Sequence, residues 1–265
     1  MARTTGRDRI LIEDFLRGYN QHIGETYQPA TRPDEVERQK QAVDWIAKNC
    51  LGRILANEHT LIQPFIGEKD DAQRLMTVIA PLEADHSLRI PGKSLDVFVG
   101  VGAIPRGPDW KLVGPTVIAW FRDARLTVPE GQSVHSVPDV GFDLTLHIEK
   151  DDSPYPEGRV CVSRSDIPDD FQLVVRKALE DKLPKLAGTR ADKRILLFEK
   201  DNLPRGYTEI GKVIESLKGE FPDLAKVDEV WVVNTVARVS EGCLFFLRVW
   251  PGGVTAKFQV NGRSS

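Results

Sequence analysis

The sequence predicts an α/β (or α+β) fold with a mixed central sheet flanked by helices. Two observations carry this prediction. Strand-like and helix-like segments alternate through the last third of the chain, and strand–helix–strand order implies parallel pairing through a right-handed crossover. The chain also has 265 residues, 41% of them apolar, which is enough to bury a substantial core.

Composition narrows the functional classes. The formal net charge is −3 and the isoelectric point is near 6.0. These values argue against a nucleic-acid-binding protein whose whole surface is basic, but they allow a local basic groove. The cysteines Cys50, Cys161 and Cys243 form no CxxC pair and no disulfide framework. No apolar signal-peptide core or membrane-spanning run is found. We therefore expect a cytoplasmic protein without a membrane partner.

The N-terminal region begins with an amphipathic pattern and continues into an ambiguous segment. Apolar residues at helical spacing predict a helix over residues 10–22, ended by Gly24. Residues 34–49 fit one helix by propensity. They also fit a short helix followed by a strand over residues 42–47, which turns into a second strand over residues 54–65. Both interpretations are kept.

The middle of the chain predicts a helix over residues 70–84, a buried strand over 95–101, and a helix over 110–124 that Gly114-Pro115 kinks or divides. Two further segments, residues 142–150 and 159–164, predict a hairpin across the polar loop 151–158. We expect a single α/β domain over residues 1–265, and the loop 151–158 is the place where a seam would fall.

The last third gives the clearest pattern and predicts a β-α-β-β extension. Its predicted elements are a helix over residues 169–186 broken at Pro184, a strand over 194–198, a helix over 208–221, a strand over 229–234, and a strand over 243–250 antiparallel to its neighbour.

Known nucleotide-binding and hydrolase signatures are absent from the sequence. Pro105 stands where a dinucleotide fingerprint needs its third glycine, and there is no phosphate loop or nucleophile elbow. The five histidines lack metal-ligand spacing, so each alone is interpreted as structural or surface. Residues 199–201 are a second-choice site, because they end a strand where α/β proteins often keep functional groups.

Two acidic residues form the first-choice site. In the hairpin interpretation Asp44 and Glu58 lie on neighbouring strands, and Glu58 and Thr60 share one face because side chains alternate along a strand. Ala56 and Ile62 share that face, so it is expected to point to the core. Two such carboxylates can chelate Mg²⁺ or Mn²⁺, which could activate water against a phosphodiester.

Asp44 followed by Glu58-His59-Thr60 resembles the PD-(D/E)XK superfamily of restriction-endonuclease-like proteins, with acid-x-Thr in place of acid-x-Lys. The resemblance implies a restriction-endonuclease-like core, nucleic acid as partner, and a role in bacterial defence or genome maintenance. It also implies Glu37 as a further metal ligand. Because Thr60 carries no charge, Lys182 on the predicted helix is expected to supply the missing positive charge.

Less specific interpretations stay beside this one. Asp44 could lie on a solvated helix face, and Glu58 with Thr60 could form the polar face of an edge strand. Lys177, Lys182 and Lys185 could be a solvated helix face. The leading expectation is metal-dependent phosphodiester hydrolysis of nucleic acid. The alternative is a non-catalytic interaction module with a degenerate nuclease-like core, acting with a protein partner or as a homo-oligomer.

Overall fold

A computed structural model of the chain describes residues 6–33, 42–200, 206–235 and 243–261. Its contacts divide the chain into two compact units. The first unit comprises Met1–Ile66 and Asp170–Ser265, and the second unit, Gly67–Asp169, is inserted between these two segments. The predicted seam at 151–158 lies within the second unit, where it connects two strands. The predicted α/β class is confirmed.

The described helices are, in chain order, α1 Gly6–Ile23, α2 Glu68–Val78, α3 Pro81–Ala84, α4 Trp110–Ala124, α5 Phe171–Gly188 and α6 Tyr207–Leu217. The described strands are β1 Gln28–Thr31, β2 Trp45–Lys48, β3 Ile54–Leu61, β4 Lys93–Gly100, β5 Gly131–Val137, β6 Leu144–Asp152, β7 Arg159–Ser165, β8 Lys193–Lys200, β9 Glu229–Asn234, β10 Cys243–Trp250 and β11 Ala256–Asn261. No helix within these described ranges has the length and apolarity that crossing a membrane requires.

A seven-stranded mixed sheet forms the centre of the first unit, in the order β1-β2-β3-β8-β9-β10-β11. The three central strands β3, β8 and β9 are parallel, and the strands on both sides are antiparallel to their neighbours. The antiparallel pairing of β10 with β9 confirms the prediction for the last third. Strands β1 and β11 extend the sheet beyond what the sequence predicts.

Helices cover both faces of this sheet, because buried side chains alternate along the central strands. Ile195 and Leu197 face the cluster that contains α1, whereas Leu196 and Phe198 face the cluster that contains α5 and α6. The first unit is therefore a three-layer α/β/α arrangement. Any polar side chain on β3 or β8 must lie on one of these two helix-covered faces.

The ambiguous segment resolves as the β2–β3 hairpin over its described residues. Trp45 pairs with Asn57 and Lys48 with Ile54, so the single-helix interpretation of residues 34–49 is wrong from residue 45 onward. Burial of Trp45 and Ala47 in the core of the sheet outweighs the helix propensity of this segment. Residues 34–41 lie outside the described ranges.

The second unit contains a four-stranded sheet in the order β5-β6-β4-β7. The predicted hairpin between residues 142–150 and 159–164 is wrong, because β4 lies between β6 and β7 and is parallel to β7. β4 pairs with β6 on one edge and with β7 on the other, and its residues Leu95, Val97 and Val99 are buried on one face of this sheet. Helices α2, α3 and α4 cover that apolar face.

Proline has less effect on the helices than the sequence predicts. Pro115 and Pro184 both lie inside continuous helices, so the predicted break at Pro184 is wrong. Pro184 lies in the last turns of α5 on an exposed position, where solvent can satisfy the carbonyl that loses its donor. The predicted helix over residues 70–84 is instead divided into α2 and α3.

Candidate functional site

The β2–β3 hairpin positions the first-choice residues. Asn49 forms the turn, and its Oδ1 accepts hydrogen bonds from the backbone N–H groups of Leu51 and Arg53. Gly52 has φ +75°, a conformation that glycine adopts without strain. Because Trp45 pairs with Asn57, this register places Asp44 beside Glu58 on the neighbouring strand.

Asp44 and Glu58 hold each other in place through the backbone. The Asp44 N–H donates to Glu58 Oε1 over 3.0 Å, and the His59 N–H donates to Asp44 Oδ2 over 2.8 Å. The side chain of Glu58 is fully buried, and that of Asp44 is 16% exposed. Both carboxylates are thus fixed by rigid elements, and the interpretation of Asp44 as part of a solvated helix face is wrong.

Two lysines of α5 complete the lysine–carboxylate cluster, which consists of Asp44, Glu58, Lys182 and Lys185. Lys182 Nζ lies 2.7 Å from Glu58 Oε2 and 3.6 Å from Asp44 Oδ2. Lys185 Nζ lies 3.7 Å from Glu58 Oε2. Lys177, on the same helix, is exposed. The structure therefore brings together the sequence-predicted residues Asp44, Glu58 and Lys182.

Burial and charge shift the pKa values of this cluster. Burial, and secondly the carboxylate of Asp44, raise the pKa of Glu58 to about 7, against the opposing effect of Lys182 and Lys185. Burial lowers the pKa of Lys182, but the Glu58 and Asp44 carboxylates outweigh it and the net direction is upward. Lys182 is therefore charged at neutral pH, whereas Glu58 exchanges its proton in the neutral range.

The remaining sequence-predicted residues have different outcomes. Thr60 lies two residues beyond Glu58 on β3. By alternation it lies on the same face of the strand as Glu58 and the buried residues Ala56 and Ile62. Within the described ranges, no side-chain hydrogen bond or ion pair joins Thr60 to the lysine–carboxylate cluster. Glu37 and Asp201 lie outside the described residues.

The opposite face of β3 carries a polar group that contains Glu199 of the second-choice site, together with His59 and Asp8, which the sequence did not predict as site residues. His59 Nε2 lies 3.1 Å from Glu199 Oε2, and these two residues form, with Asp8 of α1, a set whose ligand atoms all lie within 4.8 Å of one another. We call this set the histidine cluster. Two sequence features point to this group. Alternation along β3 places His59 on the face opposite Glu58, and Glu199 lies at the end of a predicted strand, where α/β proteins often carry functional residues.

The donor atoms of the lysine–carboxylate cluster determine which metal ion it could hold. Asp44 and Glu58 offer only carboxylate oxygens, the hard donors that Mg²⁺ and Mn²⁺ prefer. Their donor set fits such an ion, and the ammonium of Lys182 shows that this place already accommodates positive charge.

No protein-family model, no curated protein and no solved structure matches this chain.

Proposed function

We propose that the protein is a metal-dependent, nuclease-like phosphodiesterase that acts on nucleic acid and has a restriction-endonuclease-like core. The observation that carries the proposal is the convergence of Asp44, just before β2, with Glu58 of β3 and Lys182 of α5. An acid before one strand, an acid on the next and a lysine nearby constitute the arrangement that the sequence resemblance implies. Cytoplasmic location is part of this proposal, since the three widely spaced cysteines include no CxxC pair and form no disulfide framework.

The charges of the cluster support binding of a phosphodiester. The two carboxylates are balanced by the ammonium groups of Lys182 and Lys185 when all four are ionised. A divalent cation held by Asp44 and Glu58 would leave the cluster with excess positive charge. Positive charge at this place would attract the phosphate anion and stabilise the negative charge that develops as it is attacked.

Each residue has a distinct role in this proposal. Asp44 and Glu58 would hold Mg²⁺ or Mn²⁺, which when bound lowers the pKa of a coordinated water and polarises the phosphate. Lys182 would orient that water and stabilise charge in place of the lysine that Thr60 replaces. Glu37 would add a further carboxylate. Glu58, with its pKa near 7, releases its proton when a cation competes for the carboxylate.

A cleavage time course tests the proposal. The purified 265-residue chain is incubated with Mn²⁺ or Mg²⁺ and with a mixture of single-stranded and double-stranded DNA and RNA. The Glu58→Gln and Asp44→Asn variants run beside it, because each keeps side-chain size and removes one anionic ligand. We expect cleavage by the parent protein and loss of at least about 100-fold of the rate in each variant.

Glu180→Gln is the matched control, since Glu180 is an exposed carboxylate on α5. Its cleavage rate should equal that of the parent. Thermal melting by circular dichroism checks that each variant is folded. Equal cleavage by the parent and by Glu58→Gln would contradict the proposed site.

The second candidate function is a non-catalytic interaction module. Two observations favour it: the lysine–carboxylate cluster balances its own charges without a metal, and the second unit offers a separate surface. That unit carries 17 acidic and 11 basic residues. It also contains a cavity of about 370 Å³ on the sheet face opposite its helices, lined by Phe98, Val134, His147 and Glu149 among others. An acidic surface favours a basic protein partner over nucleic acid.

The two candidates predict different binding. A nuclease binds nucleic acid more tightly with Ca²⁺, which usually supports binding without hydrolysis, and loses this gain in Glu58→Gln. An interaction module shows no metal-dependent affinity for nucleic acid. Fluorescence anisotropy with labelled DNA and RNA, at one fixed salt concentration, separates the two outcomes.

A further inference from the structure

The histidine cluster is built on three separate elements. His59 lies on β3 and Glu199 on the neighbouring parallel strand β8, where Leu61 pairs with Glu199. Asp8 lies in the first turn of α1. Because His59 and Glu199 project toward α1, they lie on the sheet face opposite the lysine–carboxylate cluster.

The distances suit coordination of one ion. All three ligand atoms lie within 4.8 Å of one another. Zn²⁺ binds nitrogen and oxygen ligands at about 2.0 to 2.2 Å, so neighbouring ligands of a tetrahedral site are about 3.4 Å apart. The distance from His59 Nε2 to Glu199 Oε2, 3.1 Å, is close to that value. Asp8 is partly exposed, so rotation of its side chain can close the remaining distance.

The surroundings orient the two strand residues. The side chain of Glu199 is 3% exposed and that of His59 is 9% exposed, so both are held by packing. Thr235, just after β9, donates its hydroxyl hydrogen to Glu199 Oε1 over 2.9 Å and leaves Oε2 directed at His59. Hydrogen bonds of this kind to a ligating carboxylate typically fix its orientation in metal sites.

We propose that Asp8, His59 and Glu199 bind a divalent transition-metal ion of the Zn²⁺ class. An imidazole nitrogen with two carboxylates suits Zn²⁺ better than Mg²⁺, which prefers oxygen donors throughout. Three protein ligands leave a fourth position for water or for a group of a bound molecule. The proposal does not depend on the proposed nuclease function, since it concerns other side chains on the other sheet face.

Equilibrium dialysis of the 265-residue chain against Zn²⁺ tests the site. We expect one bound ion per chain in the parent. His59→Gln and Glu199→Gln should each weaken Zn²⁺ binding by at least about tenfold. His59→Gln preserves the backbone N–H that donates to Asp44, so it leaves the lysine–carboxylate cluster in place. His147→Gln, an exposed histidine of the second unit, is the matched control and should bind as the parent does.

Two further measurements keep the test decisive. Glu58→Gln should retain Zn²⁺ binding, whereas loss of binding only in Glu58→Gln would place the ion at the other cluster and overturn the proposal. Co²⁺ added in place of Zn²⁺ should give the visible absorption of a tetrahedral site in the parent and not in His59→Gln. If a buried variant fails to fold, Asp8→Asn, at a partly exposed position, replaces it. A parent chain that binds no Zn²⁺, or variants that bind it as tightly as the parent, would also overturn the proposal.

Discussion

The two faces of strand β3 carry two polar clusters of different chemistry, although their central residues are neighbours in the sequence. Glu58 faces α5 and contacts Lys182 and Lys185. His59 faces α1 and contacts Glu199. The first cluster pairs carboxylates with ammonium groups, and the second joins carboxylates to an imidazole. The comparison shows that side-chain alternation lets one strand carry two polar clusters with different donor atoms, so the two proposed sites can be tested independently.

The largest expected effect is on cleavage when Lys182 is removed. Lys182→Met keeps the side-chain stem and removes the ammonium 2.7 Å from Glu58 Oε2. We expect the cleavage rate to fall by about 100- to 1,000-fold, the usual cost of losing one group that stabilises transition-state charge. The measurement is an initial rate with Mn²⁺ at saturating substrate.

Lys177→Met, at an exposed position of the same helix, should retain the parent rate. Zn²⁺ binding at the histidine cluster should be equal in both variants. If the Lys182→Met variant cleaves at the parent rate and its melting temperature matches that of the parent, Lys182 has no role in the reaction. A change in its Zn²⁺ affinity would show that the two clusters are coupled through β3.

The next effect is the pH dependence of stability in the absence of metal. The folded-state pKa of Glu58 is raised from 4.5 to about 7. Between these values the unfolded chain loses a proton that the folded chain keeps, so the free energy of unfolding falls as pH rises from about 4.5 to about 7. Relative to Glu58→Gln, we expect the parent to lose up to about 3 kcal/mol over this window.

Urea unfolding in EDTA at several pH values from 4.5 to 8 measures the difference between the parent and Glu58→Gln. Glu180→Gln, which changes an exposed carboxylate, supplies the control and should follow the parent at each pH. A difference that stays constant, or grows with pH, would contradict a raised pKa at Glu58. It would instead indicate that Lys182 and Lys185 fully compensate the buried carboxylate.

The elements with strong periodicity were predictable from the sequence, and their spatial order was not. The apolar pattern predicted α1, whose one buried face imposes a helical period, and it predicted β4, β8, β9 and β10 as apolar runs of strand length. The insertion of β4 between β6 and β7 depends on non-local pairing, which no local pattern reports. The exposed strand β1 was missed for a related reason: its four residues carry no buried face.

The lysine–carboxylate cluster was predictable in part. Residue alternation and the resemblance to an acid-x-Lys motif identified Asp44 and Glu58, and the missing lysine directed attention to Lys182. Of the histidine cluster, only Glu199 was predicted, as part of the second-choice site; its association with Asp8 and His59 was not, since the three residues are far apart in the chain. Only the parallel register of β3 with β8 and the packing of α1 bring them together.

Placing a lysine at position 60, as in the acid-x-Lys motif, should change the cleavage rate less than removing Lys182 does. Thr60→Lys in the Lys182→Met background places an ammonium on the same strand face as Glu58, where the resembled family carries it. We expect about a tenfold gain in cleavage rate over Lys182→Met alone, because the charge returns without its original positioning. Thr60→Met in the same background adds similar length without charge and should give no gain.

Lys185→Met should have the smallest effect, and it measures how much the second lysine of the cluster contributes. Lys185 Nζ is 3.7 Å from Glu58 Oε2, beyond hydrogen-bond distance, and its side chain is 26% exposed, so solvent screens its charge. We expect only about a two- to fivefold loss of cleavage rate. Initial rates at low and high ionic strength check this, because a screened charge should matter less as salt increases. A loss as large as that of Lys182→Met would mean that the two ammonium groups act together, and the contribution of α5 to catalysis would then be a paired one.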